Sequence, residues 1–177
     1  MTQEENLNGL PREKLIEVLE SFKDPEVFNA VTGPWKSRVV WQDGMRAKSY
    51  MRNHVVEMDE PGDLTATDVA ASAHEQVLSA MGSCMTVGFI VNATKRGVKV
   101  LDLEITVEGY FDNIRKWAGV EDSGNPGYGR ISAKAFVRAD ADEATLRDIW
   151  RLAVEGSPVT QTIRHSNEVE TDFEVIG

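Results

Sequence analysis

Cys84 is the only cysteine among 177 residues, so no internal disulfide can form and no Cys-His cluster of zinc-ligand spacing can be assembled. The histidines, His54, His74 and His165, make neither an HxxxH nor an HExxH pattern. The acidic residues show no calcium loop, so no metal or other cofactor is expected. A Gly-x-Ser-x-Gly elbow is absent, which removes the common serine-hydrolase arrangement. The glycines of GVEDSGNPGYG do not follow a strand and open a helix, so they do not read as a phosphate loop. Cys84 is left as the leading nucleophile candidate, beside the plainer role of a lone buried cysteine as a small hydrophobe. A thiol of ordinary pKa, about 8.5, is only slightly ionised at neutral pH, and burial lowers that fraction. A nucleophilic Cys84 therefore calls for a cation beside it.

The chain that must position this thiol is acidic. Twenty-nine Asp and Glu against 19 Lys and Arg give a formal charge of -10, which argues against binding a phosphate backbone or an anionic lipid surface. A composition of 41% apolar and 27% charged residues is that of a folded chain, and the length suits one ordinary domain. The N-terminus, MTQEENLNGLPREK, lacks the basic and apolar regions of a secretory signal, and no uninterrupted 18-residue apolar run occurs. A cytoplasmic location, where a free thiol stays reduced, is expected.

Pro11 opens a short amphipathic helix with Leu15, Val18, Leu19 and Phe22 on one face, and Asp24-Pro25 stops it. Residues 36–42 and 45–58 read as a β-hairpin across Asp43-Gly44, the second arm long enough for two strands. Residues 60–72 form a loop. Residues 73–96 are apolar nearly all round and end at Gly97, which predicts a buried central helix with Cys84 in its middle. Period-two alternation then marks three strands: Leu101 to Val107, Ile131 to Val137, and Val169 to Val175. Residues 142–155 make a helix burying Leu146, Ile149, Trp150 and Ala153, and Ser157-Pro158 caps a last short helix to about His165. Hairpin-linked strands with helices grouped between them indicate an α+β fold with a largely antiparallel sheet.

The stretch HEQVLSAMGSCMTVGFIVNATKRGVKVLDLEITVEGYFD resembles the OsmC/Ohr family of organic hydroperoxide reductases, with HVVEMDEP before it and SPVTQTI and EVETDFEV after it in the family's order. The resemblance divides the chain into a helical extension, 1–33, and an OsmC-like domain, 34–177. It implies antiparallel sheets wrapped around the central helix in an intertwined homodimer. By the same resemblance Cys84 is the peroxidatic cysteine and Glu75 the active-site glutamate. An arginine of the first hairpin, Arg46 or its rival Arg52, then partners the thiolate. His74 stands next to Glu75 as a cap or pocket-lining residue. The implied reaction is attack of the Cys84 thiolate on an organic hydroperoxide, with a dithiol restoring the thiol. Mid-helix, the dipole gives Cys84 no help, so an arginine held by Glu75 is the expected device.

Glu75 and Cys84 are nine positions apart, which on one helix means about 13 Å of rise and half a turn of rotation. They cannot share a site within one subunit. Two central helices packed antiparallel near Ser79 and Ala80 would bring Glu75 of one copy to Cys84 of the other, with Gly82 and Ser83 allowing close approach. Peroxidases of this family carry a resolving cysteine where this chain has Ser157, which leaves a one-cysteine cycle dependent on an external thiol. In that setting Ser157 is an N-cap, or a hydrogen-bond donor to the oxidised or ionised sulfur. The competing reading is a catalytically inactive dimer of the same fold that binds a small apolar or electrophilic ligand between subunits.

Overall fold

The computed structural model describes residues 6–176. It begins with a two-residue hairpin, β1 (Asn6–Leu7) and β2 (Leu10–Pro11), closed by Asn8 and Gly9, both with positive φ. Asn-Gly suits that turn because both central residues must adopt left-handed backbone. α1 (Arg12–Ser21) follows with Pro11 as its N-cap. Asp24-Pro25 ends α1 as expected but also starts α2 (Pro25–Thr32), where the Asp24 carboxylate accepts from the Glu26 amide and Pro25 fills the first turn. The same dipeptide stops one helix and nucleates the next.

β3 (Arg38–Asp43), β4 (Arg46–Met51) and β5 (His54–Met58) form an antiparallel meander in chain order. The first turn sits one residue later than expected: Asp43 pairs with Arg46, so Gly44 and Met45 are central, with Gly44 at φ 54°. After β5 the chain forms the loop to α3 (Ala73–Lys95), and β6 (Val100–Phe111), α4 (Ile114–Trp117) and β7 (Tyr128–Ala139) follow. β6 and β7 make a long antiparallel pair, and α5 (Glu143–Glu155) and α6 (Pro158–Arg164) complete the regular structure. A bulge at Val100 to Asp102 turns Leu101 outward while Leu103, Ile105 and Val107 face inward.

α3 packs against β6 and against α5. Its core is Phe89, Ala93 and Val98 against Ile149 and Ala153, flanked by Leu146 and Trp150 of the expected α5 face. Gly88 permits the approach, since a Cβ there would stand 3.2 Å from the Ala153 Cα. Gly97, φ 74°, closes α3 in a Schellman motif: its amide donates to Thr94 O and that of Val98 to Ala93 O. By length and composition α3 is long and apolar enough to cross a membrane, with an 18-residue window of mean hydropathy 1.5, although its apolar run is interrupted. One side of it packs on β6 and α5.

Two expectations are corrected. The central helix is buried on one side only, and Val87 on the other is 63% exposed. Residues 169–175 form no strand: Val169, Phe173 and Val175 are 80%, 87% and 80% exposed. Their alternation gives one apolar face, but a strand needs a neighbour for its amides and carbonyls, and this segment has none among the described residues.

Candidate functional site

The head of α3 is a reciprocal cap. The amide and hydroxyl of Ser72 both donate to Glu75 Oε2 at 2.8 Å, and the Glu75 amide reaches back to Ser72 Oγ at 3.4 Å. The Ser72 amide, then its hydroxyl, hold the Glu75 carboxyl below the usual carboxylate range. Ser72 has one hydroxyl proton, committed to that carboxylate, so His74 Nε2, 3.1 Å from Ser72 Oγ, is the donor of that bond. The His74 ring meets Phe111 edge-on at 5.2 Å, and Phe111 stacks on Tyr128 at 4.6 Å. The Tyr128 hydroxyl donates to the His74 carbonyl at 3.1 Å, and burial, then the Glu75 charge, push its phenol up.

Cys84 is half-buried in the middle of α3. Glu75, Ser79, Gly82 and Ser83 line a hollow of about 440 Å³ facing Ile105 and Val107, and Cys84 is not among its residues. At 100° per residue Cys84 shares the other side of the helix with Val77, Ala80, Val87 and Val91. Val77, Ala80 and Val87 of that stripe are exposed.

Arg46 opens β4, half-buried. Its charge acts on Asp59, whose buried carboxylate accepts from Thr67 Oγ1 at 2.6 Å and from the Glu60 and Val69 amides. Among the described residues Arg46 makes no ion pair with Glu75. Arg52 departs from its expected place on the strand face: it lies in the β4–β5 turn, exposed, with φ 52°. β4 ends at Met51, so the even spacing from Arg46 no longer fixes its direction. Ser157 is 1% exposed and caps α6, accepting from the Thr160 amide at 3.2 Å and the Thr160 hydroxyl at 2.9 Å. One chain thus brings His74 to Glu75 and leaves Cys84 on the far side of α3.

Residues 65–172, which contain the capped head of α3, Cys84 and Ser157, match the family model described as OsmC-like protein. The chain belongs to the OsmC-like family. The OsmC-like fold is also that of solved structures at low identity. An OsmC-like protein from Mycoplasma pneumoniae superposes with a TM-score of 0.64 at 13% identity, covering 76% of this chain and 89% of its own. An OsmC-like protein of unknown function from Vibrio cholerae gives 0.62 at 11% identity, covering 74% and 94%. An organic hydroperoxide resistance protein OsmC from Legionella pneumophila gives 0.56 at 12% identity, covering 75% and 92%. No curated protein matches the chain.

Sequence reasoning missed Asp59 and the His74, Phe111 and Tyr128 cluster. Nothing local marks the cluster, because it forms where β6 and β7 cross the head of α3. A signal for Asp59 was present in Asp-Glu-Pro-Gly, where an aspartate precedes a turn and can accept from nearby amides.

Proposed function

We propose that this OsmC-like protein is a cytoplasmic thiol-dependent peroxidase that reduces organic hydroperoxides in oxidative stress defence, with Cys84 as the attacking group. The observation that carries the reading is the sole thiol of the chain, half-buried within the segment that matches the family. The Cys84 thiolate attacks the distal oxygen, the O–O bond breaks, and the alkoxide takes a proton and leaves as the alcohol. The sulfur is left as a sulfenic acid. Ser157 cannot supply a second sulfur, so an external dithiol donates two electrons and two protons, releasing water and its own disulfide.

The reading includes a homodimer with two composite sites. Glu75 on one face of α3 and Cys84 on the other suit two antiparallel copies, with Glu75 steadying the Arg46 guanidinium beside the partner's thiolate. Support comes from the exposed stripe around Cys84 and from the unpaired apolar segment at 169–175. The buried Ser157 cap favours a second reading, a non-catalytic dimer that holds a small apolar or electrophilic ligand, since it removes the route to an internal disulfide.

The experiment is incubation with cumene hydroperoxide and dithiothreitol, with dimedone trapping and mass spectrometry. Peroxide consumption with a dimedone adduct on Cys84 is expected. No adduct and no consumption would put the ligand-binding reading ahead.

A further inference from the structure

An apolar bay of about 550 Å³ opens beside the head of α3, walled by Val77, Phe111, Trp117 and Tyr128, with Glu60 and His74 at its edge. Among the described residues no lysine or arginine lines it. The proton positions around Ser72 determine which polar group the bay accepts. His74 donates through Nε2, so the neutral form of its ring presents a bare Nδ1, which stands 4.0 Å from Glu60 Oε2. In that form two acceptors face each other across a gap too wide for a hydrogen bond, and no described side chain donates between them. The Tyr128 proton is already committed to the His74 carbonyl.

We propose that this bay binds a small arylalkylamine as its ammonium ion. The ammonium nitrogen fits between Glu60 and His74 Nδ1 at ordinary hydrogen-bond lengths from both, and its positive charge meets the carboxylate. The aryl group lies against Phe111, Tyr128 and Trp117, whose ring faces also attract a cation. A formal charge of -10 on the chain favours a cationic ligand over an anionic one. The site uses no atom of Cys84, and the probes read amine binding independently of peroxide turnover, although the bay shares Val77 with the exposed stripe around Cys84.

Titration calorimetry of the full chain at about pH 8, where an ordinary imidazole is neutral and the amine is charged, separates the outcomes. The probes are 2-phenylethylamine, 2-phenylethanol and phenylacetate. The amine should bind at least about tenfold tighter than the alcohol, the gain expected of a charge-assisted bond, and phenylacetate weakest. Glu60→Gln should abolish the preference for amine over alcohol. His74→Phe should reduce it while keeping the aromatic wall, and Trp117→Ala should weaken both ligands alike. Cys84→Ser should change nothing. Equal affinity for amine and alcohol, tighter binding of phenylacetate, absence of amine binding, or a preference surviving in both Glu60→Gln and His74→Phe would overturn the proposal.

Discussion

Ser72 places both its amide and its hydroxyl on a single oxygen of Glu75, Oε2, each at 2.8 Å. The carboxylate is thereby fixed and kept ionised, and its second oxygen accepts no hydrogen bond among the described residues. A carboxylate held in this way is suited to steady a guanidinium supplied from outside its own helix. If the site is shared, Glu75→Gln and Cys84→Ser should each be inactive alone, yet mixed dimers should regain one working site. Random mixing makes half the dimers hybrid, each with one of two sites intact, so activity should return to about a quarter of wild type. Turnover of cumene hydroperoxide after co-refolding measures this. Mixtures as inactive as the single variants would sink the shared-site reading.

Ser157 should matter to stability more than to turnover. Its Oγ accepts from the Thr160 amide and hydroxyl in a buried setting, so Ser157→Ala should cost about 1–2 kcal/mol. For a chain of this size that lowers Tm by about 2–4 °C per kcal/mol, measurable by calorimetry. Dithiol-dependent turnover per folded molecule should stay the same. A selective loss of sulfenic acid formation would instead give Ser157 a part in the chemistry.

The elements with a complete local signal were legible in the sequence. α5 shows its buried face by spacing, and α3 announces both ends through Ser72 with Glu75 and through Gly97. Asn8-Gly9 is a favoured turn pair, but it does not mark its hairpin in the sequence, because strands of two residues have no alternation to display. The segment at 169–175 shows the opposite failure: alternation records a preference for one buried face but not which sheet covers it. The bay beside His74 was illegible for a further reason. Phe111 and Tyr128 meet across a register shift in the β6–β7 ladder, and no spacing within either strand encodes that meeting.

The N-terminal hairpin should act as a clamp on the far end of α3. Asn8 donates to Thr94 Oγ1 and Val98 O and accepts from the Val100 amide, while Arg12 caps the Thr94 and Lys95 carbonyls. Asn8→Gly keeps the left-handed backbone and removes only the amide group. It should cost about 2–3 kcal/mol, at roughly 1 kcal/mol for each of the lost bonds. Hydrogen exchange should accelerate at residues 94–100 and remain unchanged in α5, whereas a uniform change would mean the hairpin stabilises the whole molecule without a local role.

Asp59 should contribute to the acid limb of stability. The Thr67 hydroxyl, the Glu60 and Val69 amides and the Arg46 charge together hold its carboxyl below the ordinary aspartate value of about 3.9. A folded-state pKa below the unfolded one means that the stabilisation is fully present above the ordinary value. It is lost as pH falls from about 4 through the lower folded value. Asp59→Asn should lower Tm by several degrees at neutral pH, and its deficit against wild type should shrink on acidification. Other depressed carboxyls, Glu75, Asp142 and Asp148 among them, titrate in both proteins, so the difference between the two Tm curves isolates Asp59. Two parallel curves between about pH 6 and pH 2 would show that the Asp59 charge adds nothing beyond its hydrogen bonds.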